Sequence, residues 1–266
     1  MRIPLFQVDA FTDRPFAGNP AAVCVLDSWL DDWRLQAVAS ENNLSATAFL
    51  VKSGGDMDYE LRWFTRVCEI QLCGHATLAA AHVVLQEIAP ELAFVRFATR
   101  RSGSLKVRKD GTYLAMDFPA LESKDCTHYP EQLLQALNAK YAPMKVLEGN
   151  QTYIAVYGDE DSVRHLLPDL REIGELHPYV VAVTAPGTEV DFVSRYFAPS
   201  YGVPEDPVTG SLHCVLTPYW AKRFSREHLR ARQRSERGGD IYCEMAGERV
   251  ILKGQAVLVK KADLII

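Results

Sequence analysis

The chain reads as an α+β protein made of two similar domains, each a curled, mostly antiparallel sheet around a central helix. Three observations predict this. Strand-like segments, alternating or continuously apolar and rich in Val, Phe, Tyr and Leu, recur along all 266 residues. Each half holds one mostly apolar helix, Gly74 to Gln86 and Ser211 to Phe224, too apolar to lie on a surface. Between the halves, Pro119 to Pro130 is polar and lacks strong periodicity, so the join falls there and the expected domains are 1–122 and 123–266.

In the first half, residues 3–10, 20–26, 46–52, 58–65, 94–98, 103–108 and 112–118 carry strand patterns. Leu30 to Glu41 carries the 3.6-residue period of an amphipathic helix, and Gly74 to Gln86 that of a buried one. The second half repeats the plan. Pro130 to Asn138 and Asp159 to Leu167 read as helices, and 151–157, 178–184 and 190–197 as extended. Ser211 to Phe224 follows a glycine turn, and Pro218 inside it is expected to kink or shorten the helix, because proline lacks the N–H that the ladder needs. Strands follow at 228–235, 240–246, 249–253 and 255–261, with Ala246-Gly247-Glu248 as a hairpin turn.

Composition narrows the function classes. Hydrophobic residues make up 48% of the chain, enough for real cores, and the formal net charge is −5. A polyanion needs a clustered positive face, so no nucleic-acid partner is expected. The arginine-rich stretch Lys222 to Arg237 also contains Glu227 and Glu236 and reads as a solvated face, with some arginines open to a substrate cleft. No apolar run has membrane-spanning length and Met1 to Val8 enters a strand directly, so no membrane partner and a cytoplasmic location are expected. The six cysteines are scattered without zinc spacing, so thiols are expected to be reduced and no metal is expected. No Gly-x-Gly-x-x-Gly follows a strand, so no cofactor is expected either.

Two stretches concentrate the chemistry: Leu72-Cys73-Gly74-His75-Ala76-Thr77 and Glu205-Asp206-Pro207-Val208-Thr209-Gly210-Ser211. Each sets a glycine turn at the front of an apolar helix, where free N–H groups and the positive dipole end form a cradle for a small anion. One cradle per half suggests a cleft between the domains. Gly74, Gly210 and Ser211 are the backbone donors, with the Ser211 hydroxyl adding one more. Asp206 precedes a proline and is biased extended; it reads as a pocket carboxylate or as a helix cap. His75, at a positive helix end that favours neutral imidazole, reads as a proton shuttle or as a structural histidine. Asn19, in Gly18-Asn19-Pro20, bonds a ligand or stabilises the turn. Cys73 and Cys214 read first as buried packing.

These stretches, taken with Val8-Asp9-Ala10-Phe11-Thr12, Pro15 to Val23, Asn43-Leu44-Ser45, Thr47-Ala48-Phe49-Leu50, Arg62-Trp63-Phe64-Thr65 and Arg237-Gly238-Gly239, resemble the phenazine-biosynthesis PhzF-like family. The resemblance runs from near the N-terminus to the C-terminal strands. It implies the fold of diaminopimelate epimerase, a homodimer, and cofactor-free isomerisation of a small anionic, cyclic or amino-acid-like carboxylate. It also implies that Asp206 and His75 line the substrate pocket and that the two glycine turns hold the substrate carboxylate. The family's catalytic glutamate, in Asn-Leu-Ser-Glu-Thr-Ala-Phe, is replaced here by Ala46. A methyl group cannot take a proton, and loss of such a base typically lowers a rate by about 10²- to 10⁴-fold. Three readings of Ala46 stay open: an inactivated variant, a natural member whose base was replaced, and a natural member that binds without catalysing. Arg66 and Gln71, where the family usually has proline and often aspartate, favour natural divergence. Beside the isomerase stand two alternatives, a catalytically silent small-molecule binder and a cysteine-dependent racemase or epimerase using Cys73.

Overall fold

The computed structural model describes residues 1–266 and divides into two compact units, Met1–Phe118 with Lys253–Ile266, and Pro119–Leu252. Unit 1 contains β1 (Arg2–Ala10), β2 (Asn19–Leu26), α1 (Asp32–Asn42), β3 (Ala46–Lys52), β4 (Tyr59–Phe64), β5 (Glu69–Ile70), α2 (Gly74–His82), β6 (Phe94–Thr99), β7 (Ser104–Asp110) and β8 (Tyr113–Pro119). Unit 2 contains β9 (Lys124–Asp125), α3 (Glu131–Leu137), β10 (Lys145–Gly149), β11 (Thr152–Val156), α4 (Glu160–Arg164), α5 (Leu170–Gly174), β12 (Val180–Pro186), β13 (Phe192–Phe197), α6 (Gly210–Phe224), β14 (His228–Gln233), β15 (Gly239–Ala246) and β16 (Arg249–Gly254), whose last two residues belong to unit 1. β17 (Ala256–Ile265) closes the chain.

The two units repeat one topology. In unit 1, β1–β2, β3–β4 and β6–β7 pair antiparallel, while β2–β3 and β4–β6 pair parallel. In unit 2, β10–β11, β12–β13 and β14–β15 pair antiparallel, while β11–β12 and β13–β14 pair parallel. A parallel pair needs a crossover. The second crossover in each unit is the apolar helix, α2 between β4 and β6 and α6 between β13 and β14. Every residue of α2 from Gly74 to Ala81 is buried, as expected of a helix that is apolar all round. It packs on β1, β2, β3 and β17. The other face of the unit 1 sheet is covered by α1, with Leu35, Val38 and Ala39 set against Ile3, Leu26, Phe49 and Phe64.

Three expectations are corrected, and one strand is added. The second domain is not 123–266: β17 pairs antiparallel with β1 from Arg2↔Ile265 to Ala10↔Ala256, so the last strand completes the first sheet. The helix expected over Asp159 to Leu167 is only α4; Asp159 caps its start through Ser162 N (2.8 Å), and Pro168 forbids continuation before α5 begins. β10, unread in the sequence, pairs antiparallel with β11 on one side and with β9 on the other. Pro218 does not shorten α6, which runs unbroken to Phe224. The carbonyl that Pro218 leaves without a partner, Cys214 O, accepts instead from Leu121 N at 3.0 Å. No helix is long and apolar enough to cross a membrane.

Candidate active site

In unit 1, Asn19 and Ala46 open two adjacent parallel strands, with Ala21 facing Ala46 in register. Gly18 places Asn19: its φ is +64°, and a Cβ there would lie 2.2 Å from Ala10 O, so only glycine fits. Asn19 is fully buried and Ala46 is 1% exposed. Near the start of β3, Asn42 Nδ2 donates to Thr47 Oγ1 (3.1 Å), and Arg66 Nη1 donates to Asn43 Oδ1 (3.1 Å).

At the start of α2, Cys73 is the extended residue before the helix and makes no side-chain cap. Its carbonyl accepts from Thr77 N (3.0 Å) and Thr77 Oγ1 (2.6 Å), which fixes the first turn. Its Sγ lies 3.5 Å from His75 Nδ1 and 3.8 Å from Nε2. His75 is buried, and loss of solvation pushes its pKa down to about 3, so the ring is neutral at physiological pH. This opposes a resting imidazolium–thiolate pair. What the ring offers is one donor and one acceptor without charge.

In unit 2, the turn before α6 is held by buried side chains. Thr209 Oγ1 donates to Asp206 Oδ2 at 2.6 Å, and Asp206 N donates to Tyr196 O at 2.9 Å. Gln233, fully buried on β14, spans the turn: its Oε1 accepts from Thr209 N (2.9 Å), and its Nε2 donates to Asp206 O (2.6 Å) and Thr209 Oγ1 (3.2 Å). Asp206 therefore is not the cap of α6. Thr209 holds that position, and with its hydroxyl turned to Asp206 it makes no cap bond. The N–H groups of Gly210 and Ser211 in the first turn have no intrahelical acceptor. His213 Nδ1 is 2.8 Å from Thr209 O, and burial pushes its pKa down to about 4. Tyr196 lies close by; burial, and then the charge of Asp206, push its phenol upward.

Reading the sequence missed Thr209, Gln233 and Tyr196. Thr209 was legible as a polar residue before a glycine-led helix, but Gln233 and Tyr196 sit in strands whose facing is decided only by pairing. Cys214 is inert, its thiol pushed up to about 12 by burial. Glu69 is taken by Arg62, Nε to Oε1 at 2.7 Å. The arginine-rich stretch is matched by carboxylates: Arg226 with Asp191, Arg230 and Arg232 with Asp240, Arg234 with Glu160. No group of His, Cys, Asp and Glu is arranged to hold a metal ion.

The family model described as phenazine biosynthesis-like protein, PhzC-PhzF, matches residues 8–262. An uncharacterized isomerase of Pseudomonas aeruginosa is 51% identical over 264 residues, covering 99% of both chains. The crystal structure of a PhzF-family phenazine biosynthesis protein of Enterococcus faecalis superposes with a TM-score of 0.92 at 42% identity over 100% of both chains. A hydroxyproline epimerase of Agrobacterium vitis, at 10% identity over 99% of this chain and 92% of its own, shares the fold with a TM-score of 0.64. The fold is thus of the diaminopimelate epimerase type.

Proposed function

The chain belongs to the phenazine biosynthesis-like (PhzC-PhzF) family, and we propose that it is an isomerase- or epimerase-type protein for a small anionic carboxylate, cyclic or amino-acid-like, acting by cofactor-free proton transfer. The observation that carries the reading is the turn before α6, where Gln233 and Thr209 hold a buried Asp206 beside a glycine-led helix start. Three hydrogen bonds to one glutamine fix that turn, and they leave the first N–H groups of α6 for an anion.

In this reading Gly74, Gly210 and Ser211 donate backbone N–H groups to the substrate carboxylate, and Asn19 adds a side-chain amide. Asp206 and neutral His75 orient and polarise the substrate. The reaction removes a proton from one carbon and returns it to another, with the double bond shifting to balance. Ala46 marks where the family's base belongs. With a methyl there, turnover is expected to be lower by about 10²- to 10⁴-fold than with a carboxylate in place.

Two observations favour the other readings. A buried methyl at the base position suits a silent binder, and the 3.5 Å contact between Cys73 and His75 suits a thiol acid–base role. We extend the proposal to a cytoplasmic, symmetric homodimer, which protects exposed sheet edges. Calorimetric titration with 3-hydroxyanthranilate and with proline tests the central claim. At least one is expected to bind, and Asp206→Asn to weaken it by about tenfold or more. Binding of neither, or binding indifferent to Asp206→Asn, overturns it.

A further inference from the structure

Unit 2 contains a cavity of about 400 Å³ lined by none of the residues assigned above. That is the size of a pocket for a small molecule. It lies between the chain following α3 and the helix α4, with Leu166, Leu167, Ala139 and Tyr141 among its walls. Tyr157 also lines it while being only 2% exposed, and so belongs to its floor. Leu167 and Tyr141, 76% and 61% exposed, stand at its rim.

The polar groups of the wall are mostly occupied with one another. Asp159 takes both its bonds from Ser162, N to Oδ1 and Oγ to Oδ2. Asn138 Nδ2 donates to Leu167 O, and His165 Nδ1 meets Asp161 O. Lys140 Nζ sits 5.1 Å from the Tyr141 ring centre. One buried polar atom of this wall has no hydrogen-bond partner, the Tyr157 hydroxyl. A buried phenol normally finds a partner, and its absence marks a position that a ligand can complete. Burial also holds this phenol neutral, its pKa pushed up to about 12, so it can donate as well as accept.

We propose that this cavity is a second binding site, for an uncharged, ring-sized apolar molecule with a single hydroxyl head, a compound of the phenol class. The carboxylates of Asp159 and Asp161 outnumber the ammonium of Lys140 around it, so the anion expected at α2 and α6 is not its occupant. The apolar walls take the ring, and the hydroxyl head pairs with Tyr157. The hydroxyl of Tyr157 is sealed from water, so binding includes a local opening of the cavity wall over it.

The test is NMR titration of the full chain with phenol and with toluene. The native protein is expected to bind phenol in the millimolar range or better, about tenfold more tightly than toluene, with shifts confined to α4 and the chain around Tyr141. Tyr157→Phe, which keeps the ring in the core, is expected to remove the preference for phenol. Ala139→Phe is expected to block both ligands. No phenol binding, phenol no tighter than toluene on the native chain, or an unchanged preference in Tyr157→Phe overturns the proposal. Should Tyr157→Phe fail to fold, the comparison of phenol with toluene on the native protein still decides.

Discussion

Thr209 Oγ1 donates to Asp206 Oδ2 across 2.6 Å, and this one bond separates two roles that share a turn. The residue in the capping position of α6 gives its hydroxyl to the carboxylate instead of to the helix. Asp206 is thereby oriented, and the helix start keeps its donors. Gln233 makes the arrangement rigid from a neighbouring strand.

Removing that support is expected to loosen the turn before it unfolds the protein. Gln233→Leu removes the acceptor of the buried Thr209 N–H, at about 1–3 kcal/mol. Thr209→Val is expected to lose about 1–2 kcal/mol and Thr209→Ser much less. Urea unfolding measures all three, and a Gln233→Leu protein as stable as the native one removes the network from the account.

Stability is expected to fall between pH 7 and pH 5. His75 and His213 have folded pKa values of about 3 and 4, depressed by burial below the ordinary 6.5, so the unfolded chain binds more protons as pH drops through 6.5. The neutral-state advantage is complete above about 6.5 and is lost progressively below it. At pH 5 each histidine is expected to have lost about 2 kcal/mol relative to pH 7. Carboxylates held low by arginines, such as Asp32 and Glu69, titrate further down and do not blur this window. Equal unfolding free energies at pH 5 and pH 7 contradict the assignment.

Ala46→Glu is expected to raise exchange of a substrate C–H proton with deuterated solvent by about 10²- to 10⁴-fold, followed by NMR on a dihydroaromatic amino acid. The position is 1% exposed, so the new carboxyl should have a raised pKa. Its ionisation is then disfavoured by folding, and the variant should lose stability as pH rises above about 4.3, the opposite sign to the histidines. Strong exchange by the native chain that vanishes in Asp206→Asn or Cys73→Ser identifies a replacement base. No exchange from either protein despite binding removes the isomerase reading.

A symmetric dimer predicts twice the 29.8 kDa chain mass by light scattering at micromolar concentration. A single monomeric mass ends that idea.

By itself the sequence determined the class of fold, the two glycine-led apolar helices and the residues at their starts, because apolar periodicity and glycine turns are local properties of the chain. Only the tertiary structure decided that β17 belongs to the first sheet, since a strand pattern carries no record of its partner and β1 lies more than two hundred residues away. The same holds for Gln233, an ordinary polar residue in β14 until the parallel pairing with β13 sets its strand beside the chain that leads into the Asp206 turn. The intact α6 has a similar cause: Pro218 was legible, but Leu121, which takes over the carbonyl it vacates, was not. Tyr157 read only as the end of a strand, and the burial of its unpartnered hydroxyl is a product of tertiary packing. Hydrogen bonds between residues distant in sequence are selected by packing, which periodicity does not encode.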